Sequence, residues 1–158
     1  MIFITLGSQK FQFNRLLREI DNLIEKNLIK EEVFAQIGYS DYKPKNFKFK
    51  EFLNRDEFKE VMKKCDKVIT HGGTGAIINA IKEGKKIIAV PRLKEFGEHV
   101  DNHQQQIINE FEKMKFILSV NEIDKLKDVL EKINFFKPKL YKSNTKRIIN
   151  SIQDFIIN

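Results

Sequence analysis

The 158-residue chain has one cysteine, Cys65, no tryptophan, three prolines and seven glycines. A lone cysteine excludes a disulfide framework and a cysteine-rich zinc site, and it fits a reducing cytoplasm. So few prolines and glycines exclude a collagen-like or disordered chain. Long apolar runs are missing too. Ile87-Ile88-Ala89-Val90 lies between Lys86 and Pro91, far short of the roughly 20 residues of a membrane-spanning helix. Met1–Leu6 has no basic region and turns polar at Gly7-Ser8, so no signal peptide is expected. Acidic residues are the minority charge, 22 against 29 basic ones, which leaves a net charge of +7. That excess attracts nucleic acid, phosphorylated ligands or an anionic bilayer without choosing among them, and it equally describes a solvated basic surface. What is present is 41% apolar sequence, enough for one core in one domain spanning residues 1–158.

The apolar residues alternate between two periods. Met1–Leu6, Val33–Ile37, a run from Phe47 to about Leu53, Lys67–Thr70, Lys86–Val90 and Phe116–Val120 read as strands. Between them, Phe13, Leu16, Leu17, Ile20, Leu23 and Ile24 recur at helical spacing. Asn54 and Glu57 stand three apart, a capping-box arrangement opening a helix that carries Phe58, Val61, Met62 and Cys65. Further helices are expected over Ala76–Glu83, ended by Gly84, over Asn102–Glu112, over Glu122–Ile133 capped by Asn121, and over Leu140–Ile156. Strands alternating with helices through short loops predict an α/β fold, a Rossmann-like doubly wound parallel sheet.

In such a sheet, ligands bind at the carboxyl ends of the strands. Three polar, glycine-bearing loops stand there: Gly7–Gln9, His71–Gly75 and Pro91–Gln104. His71-Gly72-Gly73-Thr74-Gly75 follows a strand and opens a helix, so its backbone N–H groups and the helix dipole can face an anion, with the Thr74 hydroxyl as a further donor. It is neither a P-loop nor the dinucleotide fingerprint, since no Lys-Ser/Thr follows and the glycine spacing differs. Glu98-His99-Val100-Asp101-Asn102-His103-Gln104 packs six hydrogen-bonding side chains into seven positions. That density suits sugar or phosphate recognition, or a helix N-terminus capped by Asp101 or Asn102; no zinc-ligand spacing is complete. Phe47-Lys48-Phe49-Lys50 is read as a strand with one apolar face rather than a nucleic-acid stacking surface.

Several separated motifs carry a family likeness: Ile4-Thr5-Leu6-Gly7-Ser8 with Phe13-Asn14-Arg15-Leu16, Ala35-Gln36-Ile37-Gly38, His71–Gly75, Val90-Pro91-Arg92 and Gly97–Gln104. In this order the chain resembles the nucleotide-sugar-binding half of family 28 glycosyltransferases, the group that includes MurG. It resembles more closely the small PssE/EpsF-type subunits of bacterial capsule and exopolysaccharide synthesis, related to the small subunit of the dolichol-linked N-acetylglucosaminyltransferase. The likeness spans roughly residues 1–105.

The resemblance implies the donor-binding half of a GT-B fold and inverting transfer from a UDP-sugar, galactose or N-acetylglucosamine, with no cofactor and no metal. The diphosphate would lie on Gly72–Ala76, with His71 of the same loop among the binding residues, and Gly7 and Ser8 would sit nearby in the cleft facing the acceptor domain. Leu53 would meet the base and Asn79 the ribose, where the family carries a glutamate. His103 and Gln104 would meet the sugar, and Arg92 the leaving phosphate. Glu98, His99 and Asp101 are the candidate bases. A membrane-anchored PssD/EpsE-type subunit would hold a polyprenyl-diphosphate-linked acceptor and keep the cytoplasmic pair at the inner membrane face. The apolar face of the terminal helix, with Ile148, Ile149, Ile152, Phe155 and Ile156, would dock on that subunit or pack on its own sheet. The rival readings are a non-catalytic nucleotide-sugar-binding module, a nucleic-acid-binding domain and a nicotinamide-dependent oxidoreductase.

Overall fold

The computed structural model describes residues 1–142 and 145–157. The apolar runs become six strands: β1 Ile2–Thr5, β2 Val33–Gln36, β3 Lys48–Lys50, β4 Lys67–Thr70, β5 Lys86–Ala89 and β6 Leu118–Ser119. The helically spaced segments become α1 Asn14–Glu25, α2 Arg55–Lys64, α3 Thr74–Lys82, α4 His103–Lys113, α5 Leu126–Ile133 and α6 Thr145–Ile157. All strand pairs are parallel, in the order β3-β2-β1-β4-β5-β6. The chain therefore winds outward from β1 to β3, returns beside β1 as β4, and winds outward the other way. The crevice between the carboxyl ends of β1 and β4 is the topological switch at which such sheets bind ligands.

The register decides what meets there. Thr5 pairs with both Gln36 and Thr70, and Thr70 pairs with Ala89, so four central strands end level. The loops that follow them, at Gly7, Gly38, His71–Gly75 and Pro91–Arg92, thus share one edge. Below that edge the alternation of each strand splits the core between the two faces. Ile2, Ile4 and Leu6 pack with Leu16, Leu17 and Ile20 of α1 and Leu126 and Ile133 of α5. On the opposite face Phe3, Val68 and Ile87 pack with Met62, Ile77, Ile81, Ile108 and Phe111. Truncating a fully buried ring such as Phe111 to alanine is worth about 3–5 kcal/mol.

The capping box of α2 forms as the spacing predicts: Asn54 accepts the Glu57 N–H at 2.9 Å and Glu57 accepts the Asn54 N–H at 3.0 Å. Three details differ from the sequence reading. Asn121 makes no cap; the chain turns once as a 3₁₀ helix over Ile123–Lys125, closed by Lys125 N–H to the Glu122 carbonyl at 2.9 Å, before α5 begins. The strands after Phe47 and Phe116 are shorter than predicted. Leu140–Lys142 is not helical, and Ser143 and Asn144 of the expected terminal helix lie outside the described residues. Along α6, Ile149 is buried in the α4 side of the core, while Ile148 and Phe155 stay exposed. Among the described residues no helix is long and apolar enough to cross a membrane.

Candidate functional site

Two walls of the crevice are glycine backbone pressed on one imidazole. His71 is buried at the end of β4, and its ring lies so close to both loops that a Cβ at Gly7 would stand 2.9 Å from it and one at Gly73 only 2.4 Å. Gly7 also has φ 73°, where an L side chain is strained. Thr70 Oγ1 donates to the Thr5 carbonyl at 3.0 Å and lies 3.3 Å from His71 Nδ1, which ties the ring to both central strands. Burial, with the charge of Arg92 and then His99 nearby, pushes the His71 pKa down to about 3. His71 is thus a neutral ring at physiological pH.

Gly72 is equally constrained from the other side. Gln104, buried on the first turn of α4, uses Oε1 to accept both the Gly72 N–H and the Arg92 N–H, each at 3.0 Å. A Cβ at Gly72 would stand 2.5 Å from the Gln104 Cβ and 3.0 Å from its carbonyl oxygen. Beyond Gly73 the geometry changes: no side chain caps α3, and a Cβ at Gly75 would meet nothing within 4 Å. The first N–H groups of α3 therefore have no side-chain cap, beside the half-buried Thr74, the arrangement that favours an anion.

A cleft of about 700 Å³ runs between α2 and α3. It is lined by Gln36, Leu53 and Asn54, by Arg55, Lys59 and Lys63 of α2, by Asn79 of α3 and by Glu83 just after that helix. Gln36 Oε1 accepts the Leu53 N–H at 3.1 Å and so fixes the wall that Leu53 presents. The structure brings Leu53 and Asn79 to one opening, Asn79 on the helix that the glycine loop begins, while Ser8 stands exposed on the β1 loop. Gln36, Glu83 and the cations of α2 were not among the predicted site residues. The signal for Gln36 is its polarity at the end of a buried apolar strand; for the cations it is their spacing of four along α2.

Two of the candidate side chains have other partners. Arg92, expected near the leaving phosphate, is buried, with Nη2 donating to the Leu6 carbonyl at 2.6 Å and Nη1 to those of Phe11, Gln12 and Glu98 at 3.1, 3.0 and 3.4 Å. Burial pulls its pKa down to about 10, against the opposing pull of Glu98. Glu98, a candidate base, is fully buried, and its oxygens accept Arg15 Nε at 2.9 Å, Arg15 Nη2 at 3.0 Å and the Leu93 N–H at 3.0 Å. Both residues brace the loops after β1 and β5. Gln104 shares that bracing through Oε1, while its Nε2 donates to nothing among the described residues.

His99 and Asp101 remain at the rim. His99 Nδ1 lies 3.2 Å from Asp101 Oδ1, its ring packs 5.4 Å from that of Phe11, and Asp101 Oδ1 accepts the His103 N–H at 3.0 Å. That backbone bond, with His99 beside it, holds the Asp101 carboxyl below its usual range. His103 is half-buried, with Nε2 shielded and unpartnered among the described residues.

Comparison with known proteins bears on this arrangement. The family model described as "Glycosyltransferase family 28 C-terminal domain" matches residues 1–157. UDP-N-acetylglucosamine transferase subunit ALG13 of Kluyveromyces lactis is 38% identical over 69 residues, 44% of this chain and 33% of the yeast protein. The chain thus spans about a third of that relative's length. The solution structure of ALG13 superposes with a TM-score of 0.61 at 17% identity, covering 94% of both chains. MurG of Acinetobacter baumannii gives 0.58 at 14% identity, covering 96% of this chain and 49% of that one.

Proposed function

Since the chain belongs to the glycosyltransferase family 28 C-terminal domain family, we propose that it is the donor-binding and catalytic subunit of an inverting UDP-sugar glycosyltransferase. The donor sugar is N-acetylglucosamine or galactose, and the acceptor is a polyprenyl-diphosphate-linked saccharide held by a membrane-anchored partner of the PssD/EpsE type, in capsule or exopolysaccharide synthesis. The observation that carries this reading is the uncapped terminus of α3 at Gly73-Thr74-Gly75, on the same helix whose Asn79 lines, with Leu53, a cleft of about 700 Å³. The diphosphate lies on the α3 N–H groups and the Thr74 hydroxyl, where a helix terminus contributes about 0.3–1 kcal/mol toward each anionic group. The base lies against Leu53, and the ribose hydroxyls meet the Asn79 amide. His103 and the open Gln104 Nε2 face the sugar.

In the reaction an acceptor oxygen bonds to the anomeric carbon as the bond from that carbon to the β-phosphate oxygen breaks, and UDP leaves. Negative charge develops on the departing phosphate, where the α3 N–H groups and Thr74 stabilise it most. The acceptor proton passes to His99, oriented by Asp101, the pair left to this role once Glu98 is committed to Arg15. Calorimetric titration of the chain with UDP, UDP-N-acetylglucosamine, UDP-galactose and GDP tests the reading. Uridine-selective binding that weakens in Thr74→Ala and Asn79→Ala is expected. Equal affinity for GDP and UDP, or no binding to any of the four, overturns it.

A further inference from the structure

Consecutive residues of one segment line two different openings. Leu53 lines the cleft between α2 and α3, whereas Phe52 lines a second, open hollow of about 360 Å³ with Tyr39, Asp41, Lys43 and Glu51. The two openings are thus neighbours along the chain, Phe52 lining one and Leu53 the other. The hollow also adjoins the β1 loop, since a Cβ at Gly38 on its edge would stand 2.9 Å from the Gly7 carbonyl oxygen.

The chemistry of the hollow is mixed in a specific way. Tyr39 and Phe52 meet edge to face, ring centroids 5.2 Å apart at 70°, yet remain 47% and 44% exposed. The rings hold each other and leave much of their surface to solvent. Around them stand both charge signs: Lys43 pairs with Glu51 at 2.9 Å, while Asp41 has no partner among the described residues. The loop that carries Tyr39 and Asp41 is pre-organised. Buried Asp21 accepts the Tyr42 hydroxyl at 2.6 Å and the Lys45 and Asn46 N–H groups at 2.8 and 2.9 Å, and Ser40 Oγ accepts the Phe13 N–H at 2.9 Å.

We propose that this hollow is a saccharide subsite, which on the glycosyltransferase reading holds the sugar of the acceptor. A pyranose offers an apolar face of C–H groups with partial positive charge, which the negative face of an aromatic ring attracts, and an equatorial ring of hydroxyls that both donate and accept. Asp41 and Glu51 accept from those hydroxyls and Lys43 donates. A few convergent polar groups around aromatic contact is what a small polar ligand needs. Carboxylates of both Asp41 and Glu51 against one ammonium disfavour an anion, and a hollow interrupted by three charges disfavours an apolar peptide. The adjacency of Phe52 and Leu53 puts an acceptor sugar near the donor cleft.

The experiment is a titration of the ¹⁵N-labelled chain with methyl β-glucopyranoside and with the methyl β-glycoside of N-acetylglucosamine, followed by amide shifts, with a parallel titration by UDP. Saturable shifts confined to residues 38–43 and 51–52 are expected. They should weaken about tenfold or more in Tyr39→Ser/Phe52→Ser, whose half-exposed rings leave the core intact, and severalfold in Asp41→Asn. UDP binding should be the same in the double variant as in the parent. No shifts with either glycoside, or shifts that persist undiminished in the double variant, overturn the proposal. So do shifts of these amides with protein concentration alone, which make the rings a contact between copies. Glycoside binding without UDP binding leaves the subsite standing and overturns the donor reading; UDP binding without glycoside binding does the reverse.

Discussion

Replacing each glycine of Gly72-Gly73-Thr74-Gly75 by alanine in turn should give three different results, although the sequence treats them alike. At Gly72 the new methyl would stand 2.5 Å from Gln104 Cβ and 3.0 and 3.1 Å from the Gln104 carbonyl oxygen and Cα. Backbone cannot rotate away, so α4 must shift and the Gln104 bonds to Gly72 and Arg92 stretch. Overpacking with loss of a buried hydrogen bond is worth about 2–4 kcal/mol. At Gly73, with an ordinary φ of −73°, the three nearest atoms to the methyl all belong to the His71 ring, the nearest at 2.4 Å. A cost of about 1–3 kcal/mol follows, and most of it should vanish in Gly73→Ala/His71→Ala measured against His71→Ala. At Gly75 nothing lies within 4 Å and the residue is helical, so alanine should stabilise by about 0.5–1 kcal/mol. In thermal unfolding each kcal/mol is about 2–4 °C for a chain of this size. Gly75→Ala is therefore the clean probe of the anion site: it should lower UDP affinity without lowering stability. A Gly75→Ala variant as unstable as Gly72→Ala, or a silent Gly72→Ala, would refute the packing argument.

Three further expectations follow. Glu98→Ala leaves Arg15 and the Leu93 N–H without their partner in a buried setting and should cost about 3–5 kcal/mol by urea unfolding; a loss under 1 kcal/mol would make the pair incidental. His71 has a folded pKa of about 3 against an ordinary 6.5, so its contribution is fully present above pH 6.5 and is lost as pH falls from there toward 3. The slope approaches about 1.4 kcal/mol per pH unit, and His71→Gln should flatten it in that window. Tyr42, hydrogen-bonded to Asp21 and partly desolvated, is pushed up to about 12. Ultraviolet titration should show a tyrosine ionising well above the ordinary 10, and Asp21→Asn should bring it down while destabilising the Tyr42–Asn46 loop by about 2 kcal/mol or more.

Where both partners of an interaction lie within a few residues, the sequence was readable. Asn54 and Glu57 announce their reciprocal cap, and the Gly84 stop after α3 follows from its φ of 67°. Asn121 misled because a cap depends on the φ and ψ of the next residues, and there the chain turns as a 3₁₀ helix first. The glycine loop was legible as a strand-to-helix turn, with Thr74 and Asn79 following it on α3. The burial of Arg92 and Glu98 was not legible, since charged residues in a polar loop carry no local sign of their distant partners. Their burial arises from Arg15 on α1 and the carbonyls of Leu6, Phe11 and Gln12, more than seventy residues away. The bracing role of Gln104 was hidden, because Gly72 lies 32 residues before it.

By itself, then, the sequence determined the succession of elements, the parallel α/β class and the loops that end on the binding edge. Those follow from apolar period and from turn and cap residues, which act over a single turn or strand. Only the tertiary structure decided the strand order and the level ends of β1, β2, β4 and β5 that gather the loops. It also decided which polar side chains open on the crevice and which are spent holding it. A buried polar group must find a partner, and the fold alone determines which distant backbone carbonyl or carboxylate is within reach.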